Sequence, residues 1–256
     1  MKTKKLISPE FRVTVGSYMI TSGIEVECFS SRESHMDWCR VELSPELQGR
    51  FSFEDMEAAK VELGYDGDYD CLITGYVRRE KEDYWKEIMI KDDLMKLERT
   101  EIKATFVGCE PQDIVRYVLA CAGIEAYVLS GNYYGKMDRL AIDRRNGIQT
   151  LAEVNSSWGI SIPFYFQDKV FYWGAGHGQD DIYVLKENET ILSLNKYGSL
   201  WEAETIAVPW IHHSQQAEIR HSKYEGLVEI QKTIVRSDDT GAVHMYIYFE
   251  GNKQDV

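Results

Sequence analysis

From Val208 to Glu250 the chain breaks into short β-rich runs divided by turn residues. Val208-Pro209-Trp210 and Ala217-Glu218-Ile219 come first, followed by Tyr224 to Ile230, Thr233 to Arg236 and Val243 to Phe249. Ser237-Asp238-Asp239-Thr240-Gly241 separates the last two runs. Val, Ile, Tyr and Phe suit a pleated, half-buried backbone, whereas Gly, Asp and Ser suit the turns between. The pattern predicts an antiparallel meander.

A similar meander occurs once before. Ala59 to Tyr65 leads through an Asp-Gly turn to Cys71 to Arg79, then to Tyr84 to Ile90. Two copies predict two small β-barrels in one chain. Upstream, Phe11, Val13 and Val15 alternate, and Tyr18 to Thr21, Ile24 to Cys28 and Asp37 to Leu43 continue as strands. Between the meanders two helices are expected. The first opens at Pro111, carries Ile114, Val115, Val118 and Leu119 at helical spacing and stops at Gly123. The second runs from about Asn146 to Ser157, with Gly159 beyond it. Apolar strands follow at Ile124 to Leu129 and Ile160 to Phe166, and a hairpin turn at Gln167-Asp168-Lys169 leads to Val170 to Trp173. Further strands are expected at Asp181 to Leu185, Ile191 to Leu194 and Trp201 to Val208.

The predicted fold class is therefore mainly β within α+β: two small tube-like antiparallel β-barrels with an inserted helical α/β region. Residues 1–91 form the first barrel, 92–107 with 180–256 the second, and 108–179 the insertion.

At 256 residues and 44% hydrophobic content, the chain can bury a core without metals or disulfides. A net charge of −13 argues against sequence-specific or general nucleic-acid binding, which needs clustered Lys and Arg. It leaves open an acidic wall past which nucleic acid slides without sticking. Five cysteines (Cys28, Cys39, Cys71, Cys109 and Cys121) with no C-x-x-C predict reduced thiols rather than a disulfide framework or zinc ribbon. No stretch approaches 18 apolar residues, so no membrane span is expected.

Motifs for chemistry are sparse. Gly174-Ala175-Gly176-His177-Gly178 precedes a strand rather than a helix and lacks Gly-Lys-Ser/Thr, so it reads as a solvated turn and not a phosphate cradle. Asp66-Gly67-Asp68-Tyr69-Asp70 resembles a calcium loop, but Cys71 and Val77 stand where Gly and Glu are needed. It reads as an acidic hairpin tip. His212 and His213 are adjacent, so in a strand they point to opposite faces; with His221 they form a weak candidate metal region. No G-x-S-x-G or H-E-x-x-H is present, and neither Cys109 nor Cys121 has a His nearby in sequence. A carboxylate pair of glycosidase type is not testable without a fold. No cofactor is called for, and the weight moves from an enzyme to a structural or binding protein.

The order of elements resembles the baseplate hub proteins of contractile phage tails, including the late control protein D family and the related hubs of tailocins. The likeness is carried by Val61-Glu62-Leu63-Gly64-Tyr65 with Ile73-Thr74-Gly75-Tyr76-Val77, by Glu110 to Val115 ending at Ala122-Gly123-Ile124, and by Ile148 to Glu153 with Trp158-Gly159-Ile160. Val208-Pro209 and Tyr224 to Val228 with the Asp-Asp-Thr-Gly hairpin complete it. The resemblance covers nearly the whole chain and shows no lysozyme-like or peptidase segment. It implies a homotrimer whose two barrels per subunit make a pseudo-sixfold ring in the baseplate of a virion or tailocin, assembled in the bacterial cytoplasm. The implied partners are the tail tube protein and the central spike protein, with the tape-measure protein and baseplate wedge proteins nearby. Tyr76, Trp85, Tyr246 and Tyr248 on outer strands are the candidate contact residues. The rival readings are a tail-associated peptidoglycan hydrolase and a β-rich carbohydrate-binding module.

Overall fold

A computed structural model describes residues 8–33, 36–79, 86–238 and 240–251. The chain divides into a strand-rich unit, residues 1–92 with 178–256, and an inserted unit, residues 93–177.

In chain order the strand-rich unit begins with β1 (Pro9–Val15), β2 (Tyr18–Ile20), β3 (Ile24–Ser31), β4 (Trp38–Leu43), β5 (Ala58–Tyr65), β6 (Asp68–Arg78) and β7 (Glu87–Lys91). The inserted unit follows with α1 (Leu94–Arg99), β8 (Glu101–Cys109), α2 (Pro111–Cys121), β9 (Tyr127–Leu129), β10 (Met137–Asn146), α3 (Gly147–Ser157), β11 (Phe164–Gln167) and β12 (Val170–Trp173). The chain then returns through β13 (Tyr183–Lys186), β14 (Ile191–Tyr197), β15 (Leu200–Ile206), β16 (Gln216–His221), β17 (Tyr224–Ser237) and β18 (Val243–Glu250).

The fold is mainly β within α+β. The two meanders exist, but they do not form separate closed barrels among the described residues. One sheet runs β14-β15-β18-β17-β3-β4-β7-β6-β5-β1-β2, with β13 and β16 branching from β17. The join is the antiparallel pairing of β17 with β3, from Lys232 opposite Ser31 to Arg236 opposite Glu27. A single core follows from this. Val13, Val61, Leu63, Ile88 and Ile90 from the first meander belong to the same buried cluster as Ala203, Ile230, Met245, Ile247 and Phe249 from the second. The runs read as Tyr224 to Ile230 and Thr233 to Arg236 are one 14-residue strand, β17, with a register shift between Ile230 and Lys232 where it changes partners. Val208-Pro209-Trp210, read as part of the meander, lies in the connector between β15 and β16.

The inserted unit begins earlier than expected. The sequence places residues 92–107 with the second barrel, whereas β8 pairs with β10, within the insertion. α1 and β10 carried no recognised signal. The strands expected at Ile124 to Leu129 and Ile160 to Phe166 shorten to β9 and β11, which flank β12 in a three-stranded sheet. Both expected helices are present. α3 starts in a capping box, with Asn146 Oδ1 accepting from Gln149 N at 2.8 Å and Asn146 N donating to Gln149 Oε1 at 3.2 Å. Gly123 and Gly159 take left-handed φ values of 67° and 62° just past the helix ends, the conformation that closes a helix. Phe171 and Trp173 are fully buried with Ile114, Val118, Leu151 and Val154.

Cys28 and Cys39 form a disulfide across β3 and β4, with Cα atoms 4.0 Å apart. This corrects the expectation of five reduced thiols. Cysteine spacing did not reveal it because the pair is made by strand register, Cys28 lying directly opposite Cys39. Cys71, Cys109 and Cys121 form no disulfide.

Candidate interaction face

Alternation along each strand divides the long sheet into a core side and an outer side. On β18, Met245, Ile247 and Phe249 are buried, while His244, Tyr246 and Tyr248 are half-buried on the opposite side. On β17, Thr233 and Val235 point inward and Ile234 outward. On β3 and β4, Val26, Cys28, Cys39 and Val41 are buried, while Glu27, Phe29, Trp38 and Arg40 are on the outer side.

Register then aligns these outer side chains. Glu204 lies opposite Tyr246, Tyr246 opposite Ile234, and Ile234 opposite Phe29. Phe29 lies opposite Trp38, Trp38 opposite Lys91, and Lys91 opposite Tyr76. The result is one cross-sheet row from Tyr246 to Tyr76. At about 4.8 Å per strand step its length is about 24 Å. Phe29 and Trp38 stack at its centre, with centroids 5.3 Å apart and planes 10° from parallel.

The structure thus brings Tyr76 and Tyr246 into one row and sets Tyr248 beside it. Trp85, the fourth candidate, lies outside the described residues. Phe29, Trp38 and Ile234 were missed. The available signal was parity: on β3 and β4 the core is made by Val26, Cys28, Cys39 and Val41, so an aromatic at Phe29 or Trp38 occupies the polar side.

The flanking charges hold the tyrosines in place. Tyr248 Oη donates to Glu202 Oε2 at 2.6 Å, and Lys232 Nζ sits 3.7 Å from the Tyr248 ring centroid. Burial, helped by Glu202, raises the Tyr248 phenol well above its ordinary range. Arg236 Nη2 donates to Tyr246 Oη at 2.9 Å, and its guanidinium lies over the same ring. That hydrogen bond is the main reason the Arg236 pKa is raised. Glu204 accepts from Ser193 Oγ at 3.0 Å and sits 3.0 Å from His244 Nδ1. On the other side of Arg236, Glu27 pairs with Arg40 at 3.0 Å. Rings fixed in this way lose little freedom on contact, which suits a binding surface.

The remaining candidates disperse. Asp66 and Gly67, with φ of 53° and 82°, form the two-residue turn of the β5–β6 hairpin. Gly174 to Gly178 connects β12 toward β13 and opens no helix. His212 N donates to Gln215 Oε1, His213 is buried against Asp37, and His221 lies 3.5 Å from Glu187. Among the described residues no group of three His, Cys, Asp or Glu is arranged to hold a metal ion.

No family model matches the chain, and no curated protein matches it. Solved structures do. The 43 kDa tail protein of prophage MuSo2 from Shewanella oneidensis is 12% identical, with 94% of this chain and 97% of that one aligned at a TM-score of 0.68. A tail protein from Neisseria meningitidis is 12% identical over 96% of this chain and 97% of its own, also at 0.68. The E. coli c3393 protein, a type VI secretion component with structural similarity to the bacteriophage T4 tail proteins gp27 and gp5, is 11% identical over 94% and 77%, at 0.68. The chain has the fold of these tail proteins.

Proposed function

We propose that the protein is a structural baseplate hub of a contractile tail, a trimeric adaptor between a sixfold tube and a threefold central spike, and that it turns over no substrate. The observation that carries this reading is the single long sheet built from two meanders, with an aromatic row across its outer side. Two meanders per chain let three chains present six similar elements, so one ring can meet sixfold symmetry on one side and threefold on the other. Sheet edges at β14 and β2 find partners when copies join. Tail-protein folds aligned over nearly the full chain support the same reading. Of the 42 acidic and 29 basic residues, the inserted unit holds ten and nine, so −12 of the net −13 lies on the strand-rich unit. An acidic wall of this kind repels phosphate over about 8 Å in physiological salt, which suits a channel for DNA.

Light scattering coupled to size exclusion tests this on the full chain, alone and with the tube and spike proteins of its particle. The expected result is a mass of three chains and co-elution with both partners. A chain that stays monomeric at high concentration and binds neither partner refutes the proposal.

A further inference from the structure

One partly buried polar cluster in the strand-rich unit is not used by the contact face, yet it adjoins the two residues at the centre of that face. Asp37 directly precedes Trp38, and Ser30 directly follows Phe29. Ser30 Oγ donates to Asp37 Oδ2 at 2.6 Å, and Ser31 N donates to Asp37 Oδ1 at 3.0 Å. His213, from the connector between β15 and β16, places Nε2 3.7 Å from the same Oδ2, with its side chain 1% exposed. Its other nitrogen, Nδ1, is 2.9 Å from Ser214 Oγ. Asp92, just past β7, accepts from Asp37 N at 3.2 Å and donates its own N–H to Asp37 O at 3.1 Å. Three segments distant in sequence therefore meet on Asp37.

The surroundings offer this carboxylate no fixed cation among the described residues. A small cavity beside it is lined by Phe29, Trp38, Leu72, Ile211, His212 and Thr233, among others. Among the described residues, the titratable groups beside Asp37 are His213 and His212 from the connector and Asp92 from the end of β7, which is itself buried. A carboxylate here has lost most of its hydration, with a side chain 18% exposed, and keeps two hydrogen bonds from Ser30 and Ser31; the lost hydration favours sharing a proton with the neighbouring His213. Burial pushes the Asp37 carboxyl up to about 7, while the hydrogen bonds from Ser30 and Ser31 pull the other way.

We infer that Asp37 and His213 together hold one proton at the seam between the two meanders, and that releasing it to solvent loosens the Phe29–Trp38 step of the aromatic row. On release, Asp37 is left as a carboxylate beside a neutral imidazole and near the buried Asp92. The Asp37–His213 contact then falls from an ion pair to a weaker contact between a neutral imidazole N–H and a carboxylate, and Asp37, which directly precedes Trp38 on β4, is held less firmly to the connector. The pair titrates as a unit, so the proton belongs to both residues. The consequence for assembly rests on the proposed contact role of the row; the titration itself does not.

The test is a pH titration of the full chain by NMR, following the Asp37 carboxyl carbon in aspartate-labelled protein and the Trp38 indole N–H. The Asp37 carboxyl is expected to titrate with a midpoint near 7, with Trp38 shifting at the same midpoint. In His213→Gln and in Asp37→Asn the Trp38 transition is expected to vanish, whereas Asp238→Asn, at the distant β17–β18 turn, leaves it in place. An Asp37 carboxyl that titrates in the ordinary carboxylate range, or a Trp38 signal flat through neutrality in the wild type, overturns the inference without need of any variant. Either result is independent of whether three chains associate, so the fate of the hub proposal is read separately by light scattering.

Discussion

Gly75 is the position where one methyl group has the largest calculable effect. It lies on β6 opposite Ala59 of β5. A Cβ added there would sit 1.8 Å from the carbonyl oxygen of Lys91, 2.6 Å from its carbonyl carbon and 2.9 Å from Asp92 Cα. Non-bonded carbon atoms rest at about 3.5–4.0 Å, so the backbone at Lys91 must retreat by well over 1 Å. Main chain cannot swing aside as a flexible side chain does. The retreat takes place where β6 and β7 are paired in register from Tyr76–Lys91 to Arg78–Met89. Overpacking in a filled interior costs about 1–3 kcal/mol, and Gly75→Ala belongs at the upper end because every obstructing atom is backbone. For a unit of this size each kcal/mol moves the melting midpoint by about 2–4 °C, giving an expected fall of about 6–12 °C. Gly178→Ala is the control, since a Cβ there meets nothing within 4 Å; it is expected to shift stability by no more than about 0.5 kcal/mol. Thermal unfolding by circular dichroism, repeated in urea, reads both. A Gly75→Ala protein that melts within about 1 °C of wild type would show that β6 does not approach Lys91 this closely.

Other outcomes follow from the same structure. Tyr246→Ala and Tyr76→Ala are each expected to weaken self-association by at least about fivefold, corresponding to roughly 1 kcal/mol or more, measured by sedimentation equilibrium; unchanged association would remove the aromatic row from the contact. Asn146→Ala deletes the α3 cap and is expected to lower the stability of the inserted unit by about 1 kcal/mol, read from its urea midpoint. Alkylation followed by mass spectrometry should label Cys71, Cys109 and Cys121 in denatured, unreduced protein and add Cys28 and Cys39 only after reduction. Loss of that bridge, which spans 11 residues, is expected to cost about 3 kcal/mol from chain entropy, and five reactive thiols before reduction would contradict it.

Much of the local structure was legible in sequence order. Pro111 and Gly123 bracket α2, Asn146 and Gly159 bracket α3, and the Asp66-Gly67 turn joins β5 to β6, because caps and tight turns are set by residues within a few positions of each other. Alternation along β18 puts Tyr246 and Tyr248 on the side opposite Met245, Ile247 and Phe249. α1 and β10 escaped. α1 is only six residues long. β10 carries Asp143-Arg144-Arg145 at a register break, which interrupts its alternation.

Tertiary structure decided the rest, and in each case the cause is pairing between segments far apart in the chain. The sequence by itself determined that there would be two strand-rich meanders with helices between them, since period and punctuation are local properties. Only the pairing of β3 with β17 merged those meanders into one sheet over one core, aligned Tyr76, Trp38, Phe29 and Tyr246 in a single row, and set Cys28 opposite Cys39. Only the convergence of Asp37, the end of β7 and the β15–β16 connector set Asp37 against the buried His213. Register carries this information, and it is chosen by burying one shared apolar side rather than by any residue's own preference.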